Sequence, residues 1–292
     1  MTTRRYEDAP ATLPLMLKAA LPALPVVGSL PGVKHAAGDV PDLVLERRGV
    51  RTDPAHLERY VEVCGFARGS ALPATYPHMA AFGLHMTLMT DTSFPFAPMG
   101  LVHLRNRIVQ HRPIAPDETF DVAVRAADLR PHPKGRLVDL LTTVSVDDQV
   151  VWEEVTTLFS RGRGGAPETT PSALDGVEAP RGVVHWRLDG GLGRRYGAVS
   201  GDRNPIHLHP LTAKPFGFPR NIAHGMWTKA RSLAAVQNTL PAAFAVDVEF
   251  KKPILLPSTV VFGSSTRGSD TVLGVKAQKK DATHLVGRVL PV

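Results

Sequence analysis

LPATYPHM at residues 72–79 and FPRNIAHGM at residues 218–226 are two versions of one segment, with Pro73 opposite Pro219 and His78 opposite His224, 146 positions apart. Upstream of it, Asp53, Tyr60 and Gly65 stand opposite Asp189, Tyr196 and Gly201, each pair 136 positions apart. Downstream, Arg-Pro-Ile at 112–114 stands opposite Lys-Pro-Ile at 252–254, 140 positions apart. The matches keep the same order along the chain, which makes the two halves copies of one unit. The step from 136 to 146 puts ten additional residues into the second copy. They fall within GDRNPIHLHPLTAKPFGF (201–218), where the first copy crosses the same gap with GFARGSAL (65–72).

Each copy reads as a strand, a short helix, a loop, a longer helix and several long strands. The longer helices are expected at Pro77 to Thr90 and at His224 to Asn238. Strands are expected at Leu101 to Gln110, Glu118 to Leu129, Gly135 to Val146 and Val150 to Phe159 in the first copy. In the second they are expected at Ala243 to Phe250, Thr259 to Arg267, Thr271 to Lys279 and His284 to Leu290. β-Branched runs such as LLTTVSV and STVVFGSST, with turns at Asp147-Asp148 and Gly268-Ser269-Asp270, support the strand assignments. The expected class is therefore α+β, with an antiparallel sheet wrapped around a long helix in each unit and two units joined edge to edge, which also hides sheet edges. The first copy reads as the one lighter in helix, which would leave a tunnel for long chains.

Composition sets the outer limits. With 292 residues, 43% of them hydrophobic and 21% charged, the chain is a globular protein of one large or two medium domains. The stretch from Arg161 to Pro180 is rich in Gly, Pro and Thr and has little apolar periodicity, so it reads as a linker. The expected layout is an N-terminal extension over 1–40, a first unit over 41–162, a linker over 163–180 and a second unit over 181–292. The single cysteine, Cys64, excludes an intrachain disulfide and multi-cysteine metal sites, and it fits a reducing, cytoplasmic compartment. Behind Arg4 and Arg5, the apolar stretch Thr12 to Val27 is broken by Lys18 and by Pro14, Pro22 and Pro25. It reads as a short amphipathic helix, Leu13 to Leu21, and not as a membrane span. The net charge of +7 favours an acidic partner, but no aromatic-rich basic stripe points to nucleic acid.

An insertion confined to one copy of a repeat is a candidate for function, because the fold closes without it. It carries Asp202, Asn204, His207 and His209. Gly201 is suited to ending the preceding helix, and Pro205 disfavours helical geometry at Asn204, so the chain is expected to leave as an extended overhang. A bend stabilised by Asn204 and Pro205 would bring Asp202 and His207 together as an acid–base pair. Downstream, AHGM (223–226) opens the long helix, where first-turn N–H groups lack acceptors and the helix dipole is positive. Gly225 would let a ligand oxygen approach that backbone, and a carbonyl gaining negative charge would be stabilised there.

YGAVSGDRNPIHLHP (196–210) followed by FGFPRNIAHGM resembles the hydratase 2 signature of the MaoC-like (R)-specific enoyl-CoA hydratases and 3-hydroxyacyl-thioester dehydratases, through Gly201, Asp202, Asn204, Pro205 and His207. The two-halved layout is similar to the double-hotdog members of that family. TYPHMAAF and RPIAPDETFDVAVRAADLR look like the mycobacterial dehydratases, and the likeness runs from about residue 15 onward. The resemblance implies reversible dehydration of (3R)-3-hydroxyacyl thioesters to trans-2-enoyl thioesters in fatty-acid metabolism. It places Asp202 and His207 at the catalytic positions, Asn204 at the overhang-ordering position and Gly225 at the oxyanion position, the latter two counted as substrate-binding. It implies no cofactor and no metal, an acyl-CoA or acyl carrier protein thioester as partner, and room for a homodimer of such chains. Two positions depart from the family pattern. Leu233, with Ser232 beside it, stands where some members carry a helpful serine, and His209 stands where a small or acidic residue is common. Phe66 lies opposite Asp202, so one active site per chain is expected.

Other assignments fit some of these residues. Asp-x-Asn at 202–204 also begins a calcium loop, but that loop needs Gly at its sixth place and Glu at its twelfth, where His207 and Ala213 stand. His78 and His224 match across the repeat, so at least one is expected to serve the fold by capping or packing. Lys214, Arg220, Lys251 and Lys252 suit either a solvated surface or the phosphates of an acyl carrier. A hotdog acyl-CoA thioesterase and a non-catalytic acyl-thioester-binding subunit are the rival functions.

Overall fold

Alternating side chains make the sheet. In β5 (Gly135–Val146), Val138, Leu140, Thr142, Val144 and Val146 are buried, matching a strand with one face on a core. The Asp147-Asp148 turn after it has both residues at positive φ, 50° and 62°, the backbone that a two-residue hairpin with native twist requires. The computed structural model describes residues 1–20, 38–162, 165, 172–279 and 281–292. In chain order, the remaining elements of the first copy are β1 (Thr2–Tyr6), α1 (Thr12–Ala20), β2 (Leu43–Val50), α2 (Pro54–Cys64), α3 (Pro77–Met89), β3 (Val102–Gln110), β4 (Phe120–His132) and β6 (Gln149–Arg161). The second copy has β7 (Val184–Leu188), α4 (Leu192–Ser200), α5 (Pro205–Leu208), α6 (Pro210–Ala213), α7 (Gly225–Val236), β8 (Phe244–Phe250), β9 (Ser258–Arg267), β10 (Asp270–Ala277) and β11 (Thr283–Pro291).

The strand order is β1-β2-β4-β5-β6-β3-β8-β11-β10-β9-β7, and the two copies meet where β3 pairs antiparallel with β8. This is the double hotdog, α+β, with the two wrapped sheets merged into one of eleven strands. The second copy runs through the sheet in the mirrored sequence of the first, and among the described residues β1 is the one strand outside the repeat. It pairs parallel to β2, the only parallel ladder among the described residues. The repeat pairs hold in space. Asp53 and Asp189 each accept the N–H two residues on, at 2.9 and 2.7 Å. Gly65 and Gly201 both end a helix in the left-handed conformation, at φ 74° and 75°. Tyr60 and Tyr196 lie 6.4 Å apart, ring to ring.

Helix α3 packs against β4, β5 and β2, and α7 against β10. With 13 and 12 residues the two central helices are equal in length to within one residue. The second copy is the richer in helix, as expected, because α5 and α6 lie in its insertion, and in the first copy Leu84 and Leu88 of α3 are fully buried in a core. Trp152 anchors that core by donating to the Ala74 carbonyl at 2.7 Å. Side chains also join the copies, since Trp227 donates to Val63 O at 2.9 Å and Arg231 to Gly65 O at 3.1 Å. Helix α1 lies where the amphipathic stretch was expected, ending at Ala20; Leu21 falls outside the described residues. Of the expected linker, residues 163–164 and 166–171 also fall outside them.

Candidate functional site

The insertion leaves α4 at Gly201 and folds back along the same helix. A side chain at Gly193 would collide with the His207 carbonyl, and one at Gly197 would stand 2.8 Å from the Asp202 carbonyl. Glycines at 193 and 197 therefore give the overhang a smooth face to lie on. The pair Gly193 and Gly197, four positions apart in GLGRRYGAVSG, is the mark this face leaves in the sequence, and it was not among the expected site features.

The overhang is not extended as expected. Asn204 sits at φ −54°, ψ 128°, out of the helical region as Pro205 demands, yet its side chain then caps α5 by accepting from Ile206 N at 3.3 Å. His209 does the same for α6, accepting from Leu211 N at 3.2 Å, with Pro210 at the first helical position. Two cap–proline pairs in succession produce two short helical turns instead of one extended run. His209 is exposed and serves as a cap, outside the cluster formed by its neighbours.

Those turns carry His207 inward. Its Nδ1 lies 2.9 Å from the Ile222 carbonyl, which can only accept, so Nδ1 holds the proton and Nε2 is a bare acceptor. Nε2 faces Asp202 Oδ2 at 3.9 Å. Asn221, buried, donates to the carbonyls of His207 and Gly190 at 3.2 Å each and so fixes the His207 backbone. On the other side of Asp202 stands His224, its Nε2 at 2.9 Å from the Asp202 carbonyl and 3.8 Å from Oδ2. The His224 and His207 rings stack with centroids 3.6 Å apart, inclined at 23°. The site thus brings Asp202 and His207 together as expected and adds His224 and Asn221.

Burial sets the charges. It pushes His207 below its ordinary value, against the opposing pull of Asp202 and the Ile222 carbonyl. It pushes His224 down to about 3, helped by His207. Burial alone would raise the Asp202 carboxyl, but His224, His207 and the Asn204 N–H outweigh it and hold it below the usual carboxylate range. At neutral pH the cluster is one carboxylate beside two neutral imidazoles. Side-chain exposure falls from 27% at Asp202 to 10% at His207 and 3% at His224, so the first two face any ligand and the third does not.

Gly225 opens α7 as its first residue and is more exposed than the buried residues on either side of it. Its N–H belongs to the unpaired first turn. A side chain here would press on the Phe250 ring, with three ring atoms 3.2 Å away, so the glycine leaves room both for that ring and for a ligand. Ser232 is fully buried and donates to Thr228 O at 2.8 Å, within its own helix. Of the basic residues, Lys251 pairs with Glu249 at 2.8 Å and Arg220 donates to Pro257 O at 2.9 Å.

Among the described residues, two groups of donors are close enough to share a cation: Asp202, His207 and His224 here, and His78, His85 and Glu154 in the first copy. In both, ring nitrogens are already bonded. His78 meets Glu154 at 2.8 Å and His85 meets Thr142 at 2.7 Å, while His207 and His224 are bonded to the carbonyls of Ile222 and Asp202.

Residues 192–287 match the family described as MaoC like domain. Over 283 residues, 96% of this chain and 98% of the relative, the sequence is 39% identical to 3-hydroxyacyl-thioester dehydratase X of Mycobacterium tuberculosis. The crystal structure of HtdX of M. tuberculosis superposes with a TM-score of 0.76 at 37% identity, covering 85% of this chain and all of that one. A MaoC-like dehydratase from Phytophthora capsici, 18% identical, shares the fold with a TM-score of 0.72 over 87% of this chain and 95% of that one.

Proposed function

The chain belongs to the MaoC-like 3-hydroxyacyl-thioester dehydratases, and from that premise we propose that it interconverts (3R)-3-hydroxyacyl and trans-2-enoyl thioesters at Asp202, His207 and Gly225. The observation that carries the residue assignment is the bare Nε2 of His207 turned toward the Asp202 carboxylate at 3.9 Å, with the helix-start N–H of Gly225, a partly exposed residue, next in the chain to His224.

The chemistry rests on those charges. In dehydration, the C2 proton is weakly acidic and hydroxide at C3 is a poor leaving group. The neutral His207 Nε2 takes the C2 proton, and the electron pair passes into the thioester, whose oxygen is held by the Gly225 N–H. One such donor is worth about 3 kcal/mol of transition-state stabilisation. The imidazolium, paired with ionised Asp202, returns its proton to the departing C3 oxygen, which leaves as water held by the carboxylate. Hydration is the same path reversed, and atoms and charge balance without a cofactor. Asn204 supports the overhang as a cap and does not enter the proton path.

One site per chain is part of the proposal. The unit over 181–292 works, and the unit over 41–162, with Phe66 opposite Asp202 and no insertion, supports it as a partner across β3 and β8. Lys214 and Arg220, on the approach to α7, suit the phosphates of coenzyme A or of an acyl carrier protein. No helix among the described residues is long and apolar enough to cross a membrane. The single cysteine remains the reason to place the protein in the cytoplasm.

The test is hydration of crotonyl-CoA, monitored by loss of enoyl absorbance, with the stereochemistry of the product determined. Asp202→Asn and His207→Ala should each lower the rate at least about 100-fold while leaving the fold intact. Full activity in both variants, an exclusively (3S) product, or release of free thiol in place of hydration would overturn the proposal.

A further inference from the structure

We propose that His224 is a positioning residue for this reaction, holding the Asp202 main chain and the His207 ring in register without touching substrate; the inference rests on the hydration reading of the site. Asp202 O can only accept, so the 2.9 Å contact makes His224 the Nε2–H donor. The bond pins the first residue of the overhang whose side chain is used in chemistry. The same ring lies as a slab against His207, centroids 3.6 Å apart, and is backed by Tyr196 at 4.9 Å. His207 is otherwise tied at one point, Nδ1 to Ile222 O, about which its ring could tilt. The slab supplies the second constraint and keeps Nε2 directed at Asp202.

Three observations separate this role from capping or packing. His224 occupies the N-cap of α7 but makes no side-chain cap hydrogen bond. Its Nδ1 is buried with no hydrogen-bond partner among the described residues. A phenyl ring would stack equally well and strand no nitrogen, so what histidine alone adds is the N–H to Asp202. Finally, its repeat mate His78 turns its ring nitrogen to the Glu154 carboxylate at 2.8 Å, so the shared position does not by itself dictate the bond. Burial and the neighbouring His207 keep His224 neutral, which lets it stand against His207 without adding charge.

The experiment measures crotonyl-CoA hydration by the purified full chain carrying His224→Phe, which keeps a ring and loses the donor, and His224→Gln, which keeps a donor and loses the ring. Melting temperatures are recorded for each. H224F should lose about 10- to 100-fold in kcat with KM within about twofold, and H224Q should recover part of that loss. An unchanged kcat in folded H224F, a loss confined to KM, or no recovery in H224Q would overturn the proposal. Should H224F not fold, nitrogen-15 imidazole spectra of the wild-type chain decide. The Nε2–H tautomer of His224, constant between about pH 5 and 8, supports the role; an Nδ1–H tautomer or titration in that range refutes it. Asp202→Asn and His207→Ala run alongside. If they keep full rate, the hydration reading itself fails; if they lose it and H224F does not, only the role of His224 does.

Discussion

Asp202 and His207 stand five positions apart in the chain and 3.9 Å apart in space, and the burial that separates their charges has a measurable signature. A base must be neutral to accept a proton, and burial holds His207 below 6.5. The acid limb of kcat/KM should therefore lie below pH 6.5, with the rate flat as pH falls toward that value; a profile that declines from about pH 7.5 would mean that a different group is the base. Asp202, Asn204, His207 and Gly225 were legible because local chemistry places them, through a helix end, a cap before proline and a helix start. His224, Asn221 and Gly193 were not, because what they bond or abut lies 14 to 31 residues away in the chain and no local pattern marks such a contact. His224 in particular announced itself only as a repeat match, which left capping or packing as its expected use.

At the scale of elements, α7 contributes more than the N–H of its first turn. Lys229, one turn beyond Gly225, is fully buried and reaches across to the first copy, where Nζ donates to Asn106 Oδ1 at 2.5 Å, and within its own copy to Val246 O at 3.3 Å. Asn106 in turn donates to Glu154 at 2.8 Å, and Glu154 accepts from His78, so a buried chain of bonds links α7, β3, β6 and α3. Burial lowers the ammonium to about 7, against the pull of Glu154 and Asp247. The unfolded chain then binds the proton more tightly between about pH 7 and 10.5, so this residue adds stability as pH rises through that window and withdraws it below. Denaturant unfolding of wild type and Lys229→Met should diverge accordingly, with the wild type gaining on the variant between about pH 7 and 10. Parallel curves would mean that the lysine titrates normally. The long elements were legible: β5 spans the expected Gly135–Val146, and α3 stops one residue short of the expected Thr90. The overhang was misjudged because Pro205 was read only for what it forbids before it, while the caps at Asn204 and His209 start helical turns after it. Strand β1 was missed because TTRRY is exposed and polar, without the alternation that marks a half-buried strand.

For the whole molecule, the repeat and its mirrored sheet order give two equivalent positions in the fold, and the ten-residue insertion lies at one of them. Calorimetric titration with a non-reactive enoyl-CoA analogue should give one equivalent bound per chain; two equivalents would assign a working site to the first copy. The N-terminal extension adds a further asymmetry, since Thr12 and Phe82 both lie against Gly201, at 3.2 and 3.5 Å from where its side chain would begin. Segments from outside the second copy thus brace the residue from which its overhang springs. The repeat made this layout readable from sequence, but β1 and the brace on Gly201 are contacts between distant segments that the repeat does not encode. The ladder between β3 and β8 joins parts of one polypeptide. Two separate copies would meet as a second-order event and come apart on dilution, so that the fraction of joined pairs would track protein concentration. Here the encounter is first order and the tether sets its effective concentration. The β3–β8 junction is therefore formed in every folded chain, however few of them there are.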